Sequence, residues 1–421
     1  TLVDYSVGLA LAKNDKPSTR KALVSISVIV NIGLLGFFKY YDFFLDTFVN
    51  SFSVLGMSFE ADRLNVILPV GISFYTFQTL SYTIDVYRNK IAPTRDLLSF
   101  MAFVSFFPQL VAGPIERATT LLPQILKKRK FDTDQAIIGV KQIIWGLFKK
   151  IVIADNCAQY VDEIFSNYQD LSSTTLALGA FYFAFQIYGD FSGYSDIAIG
   201  TARLFNIRLM TNFRYPYFSR NLVEFWRRWH ISLSTWFRDY VYIPLGGNKR
   251  SVLRHIVNLF VVFLVSGLWH GANWTFVFWG AFHGLLYCLV VFFGSKMPVT
   301  KTIAETSFFP SAREIIAVGT TFIVVLLGWV FFRAPSIEIA FDYLGHMFQF
   351  EYGMTMLHIG RYPFEMLPLV ALLLYTEWLA RHIEFPLYSN KFSILKVGFF
   401  IAMIMIFGSF SNMQDFIYFQ F

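Results

Sequence analysis

Residues 255–294, HIVNLFVVFLVSGLWHGANWTFVFWGAFHGLLYCLVVFFG, decide the fold. Two apolar runs, 255–268 and 272–294, meet at Gly271, and each approaches the roughly 20 residues that carry a helix across a hydrocarbon core. Comparable runs recur at 22–38, 64–80, 97–112, 172–189, 315–332, 366–379 and 394–410. The apolar character is thus spread along the chain and is not confined to one anchor. Of the 421 residues, 55% are hydrophobic, 19% aromatic and only 15% charged, with a mean hydropathy of +0.50. Soluble domains carry about a quarter charged residues. The runs do not alternate apolar and polar residues as the strands of a membrane barrel do. The reading is an all-α polytopic membrane protein, residues 1–421 forming one membrane-embedded domain. It has about 9–11 spanning or re-entrant helices and further amphipathic helices at the interface.

Charge position says more than the net charge of +7. Basic residues cluster at 13–21, 127–130, 203–254 and 296–301, which the positive-inside rule makes cytoplasmic. Asp155, Asp162, Glu163 and Asp170 form an acidic stretch placed outside. Nucleic acid is not an expected partner of basic clusters in a membrane protein. The opening TLVDYSVGLALAKNDK reads as the end of a helix already under way, so earlier spans are expected before Thr1. The two cysteines, Cys157 and Cys288, lie in apolar surroundings and read as packing residues.

Two stretches break the pattern of simple spans. Residues 97–117 carry basic flanks on both sides and contain Pro108, Gly113 and Pro114. Either a broken, re-entrant segment lining an internal space or two short interfacial helices joined at Pro108 fits. In 206–250, Asn221 can cap a helix with Glu224 as its partner. Leu222, Trp226, Trp229, Leu233, Trp236 and Tyr240 then fall on one helical face, with Arg227, His230, Ser234 and Arg238 on another. Nine Arg or Lys and two acidic residues lie between 203 and 250. This predicts an amphipathic helix on the inner membrane surface, or one whose polar face lines a path for an anionic donor. The turn PLGGN, 244–248, ends it.

His270 lies 16 residues beyond the basic Arg254. That is roughly 24 Å of helix, within a core about 30 Å thick. Ionisable groups at that depth default to functional hypotheses, though a buried structural histidine is the alternative. Of the seven histidines only His230 and His270 sit in dense polar-aromatic contexts; His255 reads as interfacial and His283 as packing, while His346, His358 and His382 lie in weakly patterned regions. No carboxylate or cysteine accompanies His230 or His270 at ligand spacing, so no metal site is expected. No Gly-x-Ser-x-Gly elbow, Walker A motif or dinucleotide fingerprint occurs, and no internal repeat of the kind carriers show. Acyl transfer fits what remains. A histidine near neutral pKa takes the proton of an attacking hydroxyl. Donors such as Asn273, Trp269 and Trp274 stabilise the oxyanion, and a dry site protects the thioester. Asp190 and Asp196, inside an apolar helix, read as polar partners within a bundle or as catalytic acids.

The stretches LPVGISFYTFQTLSYTIDVYR (68–88), FFPQLVAGPIER (106–117), DFSGYSDIAIGTARLFNI (190–207), RNLVEFWRRWHISLSTWFRDYVYIPLGGNK (220–249), SGLWHGANWTFVFWGAFHG (266–284) and the ending FIYFQF carry a resemblance. The sequence resembles the membrane-bound O-acyltransferase family, in its bacterial alginate O-acetylation branch, over nearly the whole chain. The resemblance implies that fold and about two helices before Thr1. It implies that His270, in the Leu-Trp-His-Gly motif, is the catalytic base and that His230 is a second active-site residue. It extends a donor path to Asn221, Trp226, Arg227, Arg228, Trp229, Asp239, Asn248, Trp269 and Asn273. The implied donor substrate is acetyl-CoA, with no bound cofactor and no metal. The implied acceptor is an exported polysaccharide or a partner periplasmic acetyltransferase, reached across the bacterial inner membrane. The alternatives are transfer of D-alanyl or another acyl group from a thioester carrier protein to a cell-wall polymer, or a non-catalytic transporter or scaffold.

Overall fold

The computed structural model describes all residues except 55, 58–61, 65, 67, 295–301, 355, 389–392, 412–415 and 418–421. Among the described residues every regular element is a helix, as the composition predicts. The basic cluster at 296–301 and most of the FIYFQF ending lie outside the described residues. Among the described residues four helical stretches are long and apolar enough to cross a membrane: Pro17–Ser53, Val252–His270, Trp274–Phe293 and Ala312–Arg333.

The chain divides into two compact units, residues 1–131 with 205–209, and residues 132–204 with 210–421. The first contains α1 (Leu2–Ala12), α2 (Pro17–Leu35), α3 (Tyr41–Ser53), α4 (Ile72–Tyr87), α5 (Leu97–Val104) and α6 (Ala118–Leu126). Its interior includes a polar knot. Ser27 and Asn31 of α2 donate to Asp4 of α1 at 2.7 and 2.8 Å, and Thr79 of α4 donates to Asn31 at 3.1 Å. Buried polar groups persist only when they are bonded in this way. The 97–117 stretch is broken, as its prolines predict. Asp96 caps α5 by accepting from Leu98 N at 3.0 Å, the helix stops at Val104, and none resumes until Ala118. Pro108, Gln109 and Ala112 through Glu116 are buried although non-helical. Gly71, at φ +75°, turns the chain into α4 against this stretch; a Cβ there would stand 2.5 Å from Leu110 O.

The second unit contains α7 (Thr133–Leu147), α8 (Asp155–Ser166), α9 (Ser173–Leu204), α10 (Leu222–Arg228), α11 (Ile231–Phe237), α12 (Val252–His270), α13 (Trp274–Phe293), α14 (Ala312–Arg333), α15 (Ile337–Met347), α16 (Leu367–Leu379) and α17 (Ser393–Phe407). A single turn of π-helix, Phe148–Ala154, joins α7 to α8. The 32-residue α9 is the axis: Leu176, Ala180, Tyr182, Phe183, Phe185 and Tyr188 all face the core. It meets α7 backbone to backbone, with Gly139 opposite Gly200 and Gly146 opposite Gly193. Small residues at such crossings are how helices pack closely in a membrane. Cys157 and Cys288 are buried and unpaired, in keeping with packing roles.

The stretch 220–242 departs from the single amphipathic helix that its spacing predicts. It forms two short helices, α10 and α11, separated at His230, which has φ +43° and ψ +54°. A left-handed residue other than glycine costs about 1–2 kcal/mol, so neighbouring contacts must hold it. Arg214 N donates to Arg228 O and Ile231 N to Asn212 O, both at 2.9 Å, which pins the break from outside. The break separates the proposed polar face. Arg227 and Arg238 are exposed, whereas His230 is 1% exposed. The apolar face is not a lipid-facing surface either, since Leu222, Trp226, Trp229, Leu233 and Trp236 are all buried. Periodicity registers spacing, and a break imposed by distant hydrogen bonds leaves no trace in it.

Candidate active site

His270 closes α12 and His230 lies at the α10–α11 break, both buried in the second unit. Their ring centroids are 6.4 Å apart, inclined at 60°. A hydrogen bond spans only about 2.6–3.2 Å between heavy atoms. The rings therefore do not bond each other, yet they stand close enough to act on one substrate. Trp269 packs beside both, 6.0 Å from His230 and 5.1 Å from His270. Phe191 of α9 meets the His230 ring edge-on at 4.6 Å. Trp279 and Phe332 close on His270 at 5.1 and 5.4 Å. The two imidazoles are walled by aromatic rings on every one of these sides, so charge developing there meets little solvent and strong local fields.

His230 is oriented by a residue that the sequence reading missed. Its Nδ1 lies 3.1 Å from Oδ1 of Asn212, which also accepts from Ser232 Oγ at 2.9 Å and Ser232 N at 3.3 Å. Asn212 donates through Nδ2 to Ser195 Oγ of α9 at 3.0 Å. His230 Nε2 is buried with no hydrogen-bond partner among the described residues. The indole nitrogens of Trp226 and Trp279 are likewise buried and unpartnered there; Trp279 packs against His270, and Trp226 packs against Trp279 and His283. No sequence signal marks Asn212, which acts across 18 residues; the aromatic character of Trp279 was visible, but not its place against His270.

Other predicted residues serve elsewhere. Asn221 caps α10, accepting from Glu224 N at 2.9 Å, but the Glu224 carboxylate takes Arg220 N, at 2.9 Å, and pairs with Arg220 and Arg228 at 3.0 and 2.7 Å. Asn273 caps α13 through Oδ1 and spends Nδ2 on Pro335 O at 3.0 Å, so it is not a free oxyanion donor. Trp274 is 50% exposed. Asp239 is bonded to its neighbour Arg238 at 2.8 Å, and Asn248 is exposed in the turn that follows. Trp226 and Trp229 join the site through rings: Trp226 reaches Trp279 at 5.5 Å, and Trp229 reaches Trp329 at 5.0 Å. His283, packed between Trp226 and Trp279, is fully buried, as a packing role requires. Among the described residues no group of three or more His, Cys, Asp or Glu is arranged to hold a metal.

Behind Asn212 lies a polar cavity of about 20 Å³, room for one water molecule. Lys149, Asp196, Glu377 and Glu384 are among the residues that line it. Lys149 Nζ is 2.6 Å from Asp196 Oδ2 and 2.8 Å from Ser192 Oγ, and Gln142 donates to Asp196 Oδ1 at 2.8 Å. Asp190 is paired with Lys150 at 2.8 Å and accepts from Ile417 N at 2.7 Å. Both aspartates thus have partners inside the bundle. Removing one member of a buried ion pair costs about 3–5 kcal/mol, whereas replacing both by apolar residues is close to neutral. Lys149→Met is therefore expected to lower the thermal midpoint of the detergent-solubilised protein sharply. Lys149→Met with Asp196→Leu should recover much of the loss. A double variant as unstable as the single would show that the pair is not what the site depends on.

Residues 88–331 match the profile of MBOAT, the membrane-bound O-acyltransferase family. The chain is 40% identical over 356 residues to the probable alginate O-acetylase of Pseudomonas putida, across 83% of this chain and 70% of that protein. It is 37% identical over 390 residues to the peptidoglycan O-acetyltransferase of Helicobacter pylori, across 86% and 71% of the two chains. A teichoic acid D-alanyltransferase of Streptococcus thermophilus is 29% identical over 293 residues, across 62% of this chain and 68% of that one.

Proposed function

The chain belongs to the membrane-bound O-acyltransferase family, and on that premise we propose that it transfers an acetyl group from cytoplasmic acetyl-CoA to an alcohol on the far side of the bacterial inner membrane. The alcohol belongs to an exported polysaccharide or to a partner acetyltransferase that serves one. The observation that carries this reading is the pair of buried imidazoles, 6.4 Å apart and walled by aromatic rings. His270 removes the proton of the acceptor hydroxyl as its oxygen attacks the thioester carbonyl. The new C–O bond forms, the C–S bond breaks, and the imidazolium returns its proton to the departing sulfur. His230 presents a second basic nitrogen to the same site. The unpartnered indole N–H of Trp279, whose ring packs against His270, is the oxyanion donor that fits best, since the Asn273 amide N–H is spent on Pro335 O.

The acetyl group is preferred to D-alanine because two O-acetylating relatives are 40% and 37% identical, against 29% for the D-alanyltransferase. Purified protein in nanodiscs is expected to release CoA thiol from acetyl-CoA when an unacetylated polysaccharide and the exported partner are supplied. Free acetyl-CoA should suffice, with no carrier protein. If thiol release required an acylated carrier protein, and acetyl-CoA alone gave none, the D-alanyl type of reaction would replace acetylation.

A further inference from the structure

We propose that Asn212 is a positioning residue that holds His230 in the tautomer protonated on Nδ1, so that its Nε2 lone pair accepts a hydrogen bond from a substrate hydroxyl. This deepens the reading above and rests on His230 belonging to the acyl-transfer site. The backbone N–H of Ser232 only donates, and it points at one side-chain atom of Asn212 at 3.3 Å. That atom is therefore the amide oxygen, which fixes which way the amide faces. The same oxygen lies 3.1 Å from His230 Nδ1. An oxygen facing a ring nitrogen at that distance requires the nitrogen to carry the hydrogen. In neutral imidazole the other nitrogen is then the acceptor.

The rest of the environment enforces this arrangement. Ser195 Oγ takes the Asn212 amide hydrogen at 3.0 Å and keeps the oxygen turned toward His230. Asn212 O accepts from Ile231 N at 2.9 Å, so one residue grips both the backbone and the ring of the left-handed turn. Nε2 is left bare among Phe191, Phe213, Trp269 and His270, with no partner among the described residues. A buried acceptor without a partner costs free energy, which a substrate O–H would offset on binding. A neutral His230 therefore accepts and does not supply the oxyanion hole.

The titratable groups around His230 are few. His270 faces it from α12, and the Lys149–Asp196 pair, Glu377, Glu384, Tyr188 and Tyr215 line the cavity on the far side of Asn212. None of these touches Nδ1. Asn212→Asp would place a carboxylate against Nδ1–H with almost no change of shape. A carboxylate there favours the imidazolium, typically by about 1–3 pKa units. His230 would then stay protonated, and blocked, up to a higher pH.

Solid-state ¹⁵N NMR of the full chain in lipid, labelled at histidine and assigned by difference with His230→Gln, reads the tautomer without any activity. Nδ1–H is expected, and an Nε2–H signal for His230 would overturn the proposal. The second measurement is the pH profile of thiol release from acetyl-CoA. In Asn212→Asp the rate on the acid side of the profile should fall by about tenfold or more relative to the alkaline side of the same variant, and the acid limb should lie at higher pH than in the wild type. A limb that stays in place while His230→Gln lowers the rate would refute the role of Asn212 alone. Wild-type turnover in His230→Gln would instead remove His230 from the reaction and sink the reading on which the proposal rests.

Discussion

His270→Ala is expected to abolish acetyl transfer, with a loss of at least about 10²–10⁴-fold, the usual contribution of a positioned general base. The ring is 3% exposed and is held by Trp269, Trp279 and Phe332. Water therefore has no easy access to stand in for the lost base. Truncation also opens a void, so the alanine variant alone confuses chemistry with packing. His270→Phe resolves this. It keeps an aromatic ring against the same three neighbours and removes both nitrogens. Both variants should accumulate in membranes, and His270→Phe should unfold near the wild-type temperature while remaining inactive. Acetylation of the exported polymer at the wild-type level in His270→Phe would remove the residue from the mechanism. It would also favour a scaffold that merely recruits another enzyme.

The asymmetry between the histidines explains how far the sequence could be read. His270 was legible because its chemistry clashes with its surroundings: an ionisable ring closes an apolar helix. His230 was legible only through its motif, because its helical spacing with Trp226 and Trp229 argues for a surface helix that the folded chain does not form. The residue that orients it, Asn212, lies in an irregular stretch before α10 and acts through tertiary hydrogen bonds. No local pattern encodes such a contact. The same holds for the partner of Asp196: its place in an apolar helix marks it as a polar group within a bundle, but Lys149 is identified as its partner only when α7, its π-turn and α9 come together. α7 and α8 were not foreseen as core helices for that reason. By contrast, the apolar runs at 255–268, 272–294 and 315–332 became α12, α13 and α14, because hydrophobic length alone dictates such helices.

Gly280→Ala is expected to destabilise the protein and Gly319→Ala is not, although both lie inside long apolar helices. The helix propensity of alanine exceeds that of glycine by about 1 kcal/mol, which favours both substitutions equally. The difference lies in what the new methyl meets. At Gly319 nothing stands within 4 Å. At Gly280 a Cβ would lie 2.4 Å from Phe263 O and 3.2 Å from Gly267 Cα. Gly267 is the reciprocal contact, its Cβ falling 2.3 Å from Phe276 O. These obstacles are backbone atoms, so no side chain can swing away, and α12 and α13 must separate. Overpacking of this kind costs about 1–3 kcal/mol and sometimes more, which exceeds the propensity gain. The separation also reaches the chemistry. Trp279, next to Gly280, packs 5.1 Å from His270 at the end of α12, so spreading the helices moves the proposed base relative to its wall. Gly280→Val, with a larger and stiffer side chain, is expected to yield little folded protein. The measurement is the thermal midpoint in detergent, followed by fluorescence-detected size exclusion. Midpoints that rise equally in Gly280→Ala and Gly319→Ala would mean that the two helices do not touch at these glycines.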